Sequence, residues 1–220
     1  MNIRFEAVMP YVPYILKGVV VTLQIAFVGA LFGTIIGLIL SFITSKENML
    51  SYFLRFVIDF FRGTPLLFQL VLFHYGIAQV TRGFVPHVFA SALIVFSLNS
   101  AAYLSEVLRA GIAAIDKGQI EAATSLGISK KDIALHITLP IAIKNVLPAI
   151  VNEFITLTKE TSVVSFIGVS ELMRRYEIVS GTIFRSLEPL IVVGIIYYLM
   201  NKILSVGGKR IERKLNYDQR

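Results

Sequence analysis

The chain has 220 residues, 55% of them hydrophobic and 16% charged, with a formal net charge of +7 and a mean hydropathy of +0.74. Soluble domains average roughly 45–50% apolar and roughly 25% charged residues, so an ordinary soluble enzyme is excluded. The absence of cysteine excludes disulfides, thiolate metal sites and cysteine nucleophiles, and the length cannot hold a twelve-span transporter.

Residues 1–17 lack the compact basic region, short apolar core and small-residue cleavage site of a secretory signal, so no removable signal peptide is expected. Five apolar segments could then cross a bilayer: 18–43, 53–80 with Pro65 inside it, 88–108, 141–164 and 189–204. All are weakly periodic, as expected where helix packing in lipid sets the faces. The predicted fold is an all-α membrane protein of five transmembrane helices, with residues 1–220 forming one domain.

An odd number of spans puts the termini on opposite sides. Fourteen lysines and arginines fall on the side of the 1–2 connection, the 3–4 connection and the tail that ends at Arg220, against six on the other side, while Lys159 lies within span four. The positive-inside rule then predicts the N-terminus outside and the C-terminus in the cytoplasm. It also accounts for the +7 charge in contact with membrane lipid, with no nucleic acid partner. Tyr11, Tyr14, Tyr52 and Tyr103 fall near the predicted interfaces, consistent with an aromatic belt.

The third and fourth spans are joined by a patterned stretch, 109–139. Residues 121–126 are strong helix formers, and Gly127 can take the left-handed position that ends a helix. Ser129 is a suitable N-cap, with Asp132 in the first turn, for a second short helix reaching about His136. Pro140 marks the next boundary, in the first turn of span four. A helix–Gly–helix unit is therefore expected between two spans.

Glu121-Ala122-Ala123, Gly127 and Ile137-Thr138-Leu139-Pro140 match, at full spacing, the EAA---G---------I-LP signature. That signature resembles the permease subunits of bacterial ATP-binding-cassette (ABC) importers. The segment from Arg62-Gly63-Thr64-Pro65 to Gln69-Leu70 is similar to the polar amino acid branch of those permeases. So are Lys159-Glu160-Thr161-Ser162 and Ile167-Gly168-Val169-Ser170-Glu171-Leu172.

The resemblance implies a type I ABC importer permease fold in the bacterial inner membrane. It implies a coupling helix ending at Gly127 that docks into a separate ATPase subunit. Glu121 would anchor that helix, Ala122 and Ala123 would allow close approach, and Gly127 would make the turn. It further implies a second permease copy forming a homodimer and an extracytoplasmic substrate-binding protein, received by the 165–187 stretch with its Arg174-Arg175 pair.

The chain itself has no G-x-x-x-x-G-K-[ST] phosphate cradle, because Gly207-Gly208-Lys209 lacks both the upstream spacing and the following hydroxyl residue. ATP hydrolysis is expected from a separate subunit. H-E-x-x-H, G-x-S-x-G and histidine clusters are also absent, so no catalytic set, metal site or cofactor is expected.

An ionisable residue near the bilayer centre costs roughly 2.5–3.5 kcal/mol on insertion scales and needs a partner or a wet cavity. In span four, Asn145, Asn152, Glu153, Thr156, Lys159 and Glu160 share an arc of about 120° at about 100° per residue. Such a stripe should line a translocation path or a dimer seam. Glu153, about midway along, is the first candidate for substrate contact and favours a cationic group, with Asn152 and Thr156 beside it. Gln69, one turn beyond Pro65, and Asn99, midway through span three, are candidates to hold an amino acid backbone, against interhelical hydrogen bonding as the alternative. Arg55, Asp59 and Arg62 are expected to form an ion-paired stripe or inner gate. The reading is an ATP-driven importer subunit for polar, including basic, amino acids. Its competitor is a small secondary carrier or channel without ATPase coupling.

Overall fold

A computed structural model describes residues 3–217, with helices and no strand among them; Arg220 of the basic tail lies outside the described residues. Two single-turn 3-10 helices lead into α1, Val12–Thr44, which has proline in its first turn. Its 33 residues extend about 50 Å, more than a bilayer core requires. Gly29, Gly33 and Gly37 recur every fourth residue and let α1 lie against α4, Val88–Ala113. A Cβ on Gly33 would meet Ser100 Oγ at 2.5 Å, and one on Gly37 would meet the Ala101 carbonyl at 3.1 Å. Small residues set this close approach where apolar burial alone has no purchase in lipid.

Between them, the expected single span 53–80 is two helices: α2, Met49–Gly63, capped by the Asn48 side chain, and α3, Leu66–Val80. Their axes are bent by 109°. Pro65 does more than loosen a helix. It drives Thr64 into the extended region (φ −116°, ψ 146°), as the residue before proline tends to be driven, and a new helix starts afterwards.

The connection after α4 contains α5, Lys117–Ser125, with Asp116 accepting from the Gly118 N–H at its start. Next comes α6, Lys130–Ile133, capped by Ser129 as predicted. The second helix does not stop near His136. It continues through a π-helical turn, Ala134–Thr138, into α7, Leu139–Glu160. Pro140 explains the π turn: it has no N–H for the His136 carbonyl and its ring crowds that oxygen, so the preceding turn widens instead of ending.

The segment Thr161–Ile167 is a 3-10 helix closed by Gly168, and α8, Leu172–Ile183, follows. The last helix, α9, spans Leu187–Tyr217, thirteen residues beyond the predicted end of 204. Its apolar run stops there, but the Lys, Arg and Glu that follow are good helix formers.

Four stretches are long and apolar enough to cross a membrane: Phe5–Thr44, Val88–Ala113, Lys130–Ile167 and Leu187–Lys214. The bent α2–α3 pair makes a fifth when counted as one. The main core joins α1, α3, α4 and α7 through Ile25, Leu70, Phe96 and Leu157, all fully buried. A second cluster of Ile15, Leu172, Val179 and Val193 ties α8 and α9 to the start of α1.

Candidate translocation path and coupling unit

Within its own chain, α7 buries Val146, Leu157 and Thr158 and leaves its polar stripe open. Asn145, Asn152 and Lys159 are exposed, while Glu153, Thr156 and Glu160 are half-buried. Thr158, on the covered side, donates to the Asn201 side-chain oxygen of α9 at 2.7 Å. Asn145 is fixed by donating to the Gly111 carbonyl at 3.1 Å. The unpartnered polar face therefore centres on Asn152, Glu153 and Thr156.

Ser100 of α4, fully buried and without a formed hydrogen bond, lies beside the Glu153 carboxyl. Gly33 creates this proximity, since any side chain there would displace Ser100. The sequence marks Ser100, with Asn99, as a polar residue midway through span three that could help complete a pocket, but its place beside Glu153 depends on how closely α1 approaches α4.

Gln69 and Asn99 sit elsewhere. Each is only 4% exposed. Pro65 cannot supply the N–H that would normally reach the Phe61 carbonyl, and the Gln69 side-chain amide replaces it at 2.7 Å while also donating to the Thr64 carbonyl at 3.0 Å. Asn99 donates to the Gln69 side-chain oxygen at 3.0 Å. Their amides hold the helix break, and the geometry follows the interhelical alternative.

Near the break, Arg62 lies 3.9 Å from Asp59 and over the Tyr103 ring, but Arg55 donates to the Thr44 carbonyl instead of joining that pair. Glu106 and Arg109 form a further pair at 2.7 Å.

In the helix–Gly–helix unit between α4 and α7, Gly127 has φ +74°. The Ile128 N–H donates to the Ala123 carbonyl and the Gly127 N–H to the Thr124 carbonyl, the paired bonds of a Schellman ending. Glu121 and Ala122 face outward, Ala123 is buried against its own chain, and Leu126 is 80% exposed just before the turn. The two alanines thus divide: one packs inward, the other is available to a partner.

At the opposite end of the bundle, Glu171 is fully buried and caps α8, accepting from the Met173 N–H at 2.8 Å and the Arg174 N–H at 2.7 Å. The Tyr197 hydroxyl of α9 also donates to it at 2.8 Å. Burial pushes the Glu171 carboxyl above its ordinary value, opposed by these hydrogen bonds. Arg175 lies over the Tyr14 ring at 4.5 Å and donates to the Tyr14 carbonyl, joining α8 to α1. Arg174 is half-buried and pairs with Glu177 at 2.9 Å.

Residues 29–217 match the family described as binding-protein-dependent transport system inner membrane component. The chain is 46% identical over 216 residues to the arginine transport system permease protein ArtQ of Bacillus subtilis, with 98% of each covered. It is 40% identical over 215 residues to the putative glutamine transport system permease protein GlnP of Rickettsia conorii, covering 96% of this chain and 98% of the relative. Among solved structures, an amino acid ABC transporter with histidines superposes with a TM-score of 0.90 at 34% identity, covering 97% of this chain and all of the other. An inward-facing MetNI methionine ABC transporter shares the fold at a TM-score of 0.76 and 20% identity, covering 94% of this chain and 98% of the other.

Proposed function

The chain belongs to the binding-protein-dependent transport system inner membrane component family and has the type I ABC importer permease fold of a multi-pass inner-membrane protein; from that premise we propose that it is the transmembrane subunit of an ATP-driven importer for polar, including basic, amino acids. The observation behind the substrate class is Glu153, a half-buried mid-span carboxylate on a stripe that its own chain covers only in part. In a site of low dielectric such a group favours a guanidinium or ammonium. Arginine transport by a relative 46% identical supports the same class.

In this reading the whole chain is one permease domain, N-terminus outside, and two copies enclose the path. Glu153, Asn152 and Thr156 face the passing amino acid. Gln69 and Asn99 keep the α2–α3 bend in shape. The unit of Glu121, Ala122, Ala123 and Gly127 docks into a separate ATP-binding subunit, and the Arg174 face of α8 receives a substrate-binding protein. Nucleotide and substrate bias one equilibrium between inward- and outward-facing arrangements.

The test is reconstitution with the ATPase and receptor, followed by competition for ATP-dependent uptake in wild type and Glu153→Gln. Selective loss of affinity for arginine and lysine is expected. Unchanged affinity and selectivity would remove Glu153 from the site, and uptake without the ATPase would favour a carrier or channel.

A further inference from the structure

Behind its polar face, α7 borders an apolar groove of about 590 Å³ shared with α1 and α9. Leu31 and Ile35 of α1, Phe154 of α7, and Ile203, Gly207 and Ile211 of α9 line it. Leu31, Ile35, Ile203 and Ile211 are all exposed, so the groove opens to the surroundings of the bundle. A Cβ on Gly207 would meet nothing within 4 Å, whereas one on Gly208 would meet Val151 Cγ1 at 2.5 Å. One glycine of the pair lets α9 approach α7, and the other keeps the groove empty of side chain.

The charged residues nearby gather at one end. The Thr158–Asn201 hydrogen bond and the Gly208–Val151 approach fix α7 and α9 in a single antiparallel register. Carried onward, that register sets Lys144 level with the Lys214 turn of α9, with Arg210 one turn above. At about 100° per residue, Arg210 and Lys214 lie within about 90° of the Gly207–Ile211 line, and Lys144 within about 20° of the groove residues Val151 and Ile155. Glu212, the acid of this stretch, lies about 40° from Gly208 on the side of α9 that meets α7, so the three cations keep an excess of positive charge at this end rather than a purely basic one. None of the three cations has an ion-pair partner among the described residues.

We propose that this groove binds a phospholipid with an anionic headgroup, one acyl chain lying along the apolar wall and the phosphate held by Lys144, Arg210 and Lys214. Apolar walls ending in unpaired cations at a membrane boundary match that ligand in both shape and charge.

Native mass spectrometry of the purified full chain, equilibrated with equimolar phosphatidylglycerol and phosphatidylcholine, tests this. Wild type should retain phosphatidylglycerol about tenfold over phosphatidylcholine. The combined Lys144→Gln, Arg210→Gln and Lys214→Gln variant should lose that preference. Gly207→Leu, whose Cβ would meet nothing within 4 Å and whose side chain would occupy the groove, should lose the retained lipid itself. Equal retention of the two lipids by wild type would overturn the proposal, as would wild-type behaviour of both variants. A covalent dimer formed through Leu31→Cys and Gly207→Cys would assign the groove to a second copy and overturn it as well.

Discussion

Asn99 of α4 donates to the Gln69 side-chain oxygen of α3 at 3.0 Å, while the Gln69 amide occupies the Phe61 carbonyl that Pro65 leaves without a partner. A neighbouring helix thus braces the bend. Gln69→Leu would remove the side-chain donor to the Thr64 carbonyl and leave the Phe61 carbonyl and the Asn99 amide only their long 3.5 Å contact with each other, a loss of about 1–3 kcal/mol for each group left poorly satisfied. A clearly lowered thermal midpoint in detergent is expected, with the apparent affinity of residual uptake unchanged. A wild-type midpoint with weakened substrate affinity would instead place Gln69 in the site.

Gly127 holds φ +74°, a region that side chains enter at a cost of about 1–2 kcal/mol. Gly127→Leu should therefore insert normally, because the turn lies outside the spans, yet misdirect the exposed face of α5. The expected result is transport lost together with substrate-stimulated ATP hydrolysis, measured after reconstitution. Stimulated hydrolysis at the wild-type level would count heavily against this unit as the coupling element.

Local chemistry explains why this unit was legible in the sequence: the Ser129 cap and the Gly127 turn each depend on residues within five positions. The α7 stripe was legible because helical period alone gathers Asn152, Glu153 and Thr156. The bend of α2–α3 was not, since a proline inside an apolar run reads equally as a kink or a break. What stabilises the break is Asn99, thirty positions from Gln69. Ser100 beside Glu153 depends on the depth to which Gly33 admits α4, and the Glu171–Tyr197 bond joins helices whose adjacency no local pattern encodes.

Gly33 and Ser100 form a size-matched pair. Gly33→Ala places a methyl 2.5 Å from Ser100 Oγ and 2.6 Å from Ser100 Cβ; turning the hydroxyl cannot relieve the second contact, so the helices must part. Overpacking of this kind costs about 1–3 kcal/mol. Ser100→Gly removes the obstacle, so the double variant should regain most of the thermal stability lost in Gly33→Ala, despite the helix cost of a second glycine. Additive losses in the double-mutant cycle would show that the two do not meet.

Glu171 gives a pH signature whose sign follows from its burial. Its folded carboxyl titrates above the unfolded one, so the folded chain binds the proton more tightly between the two values. That contribution is present in full below the ordinary carboxylate range, and it is lost as pH rises through the folded value. Glu171→Gln cannot ionise, although its amide turns a donor either toward the Arg174 N–H or toward the Met173 N–H and the Tyr197 hydroxyl together, and lowers stability at every pH. The difference in thermal midpoint between wild type and Glu171→Gln should therefore shrink as pH rises from 4 toward 7, because only wild type acquires a buried charge. A difference that stays constant or widens across this range would mean that the cap hydrogen bonds outweigh desolvation and that Glu171 is ionised throughout.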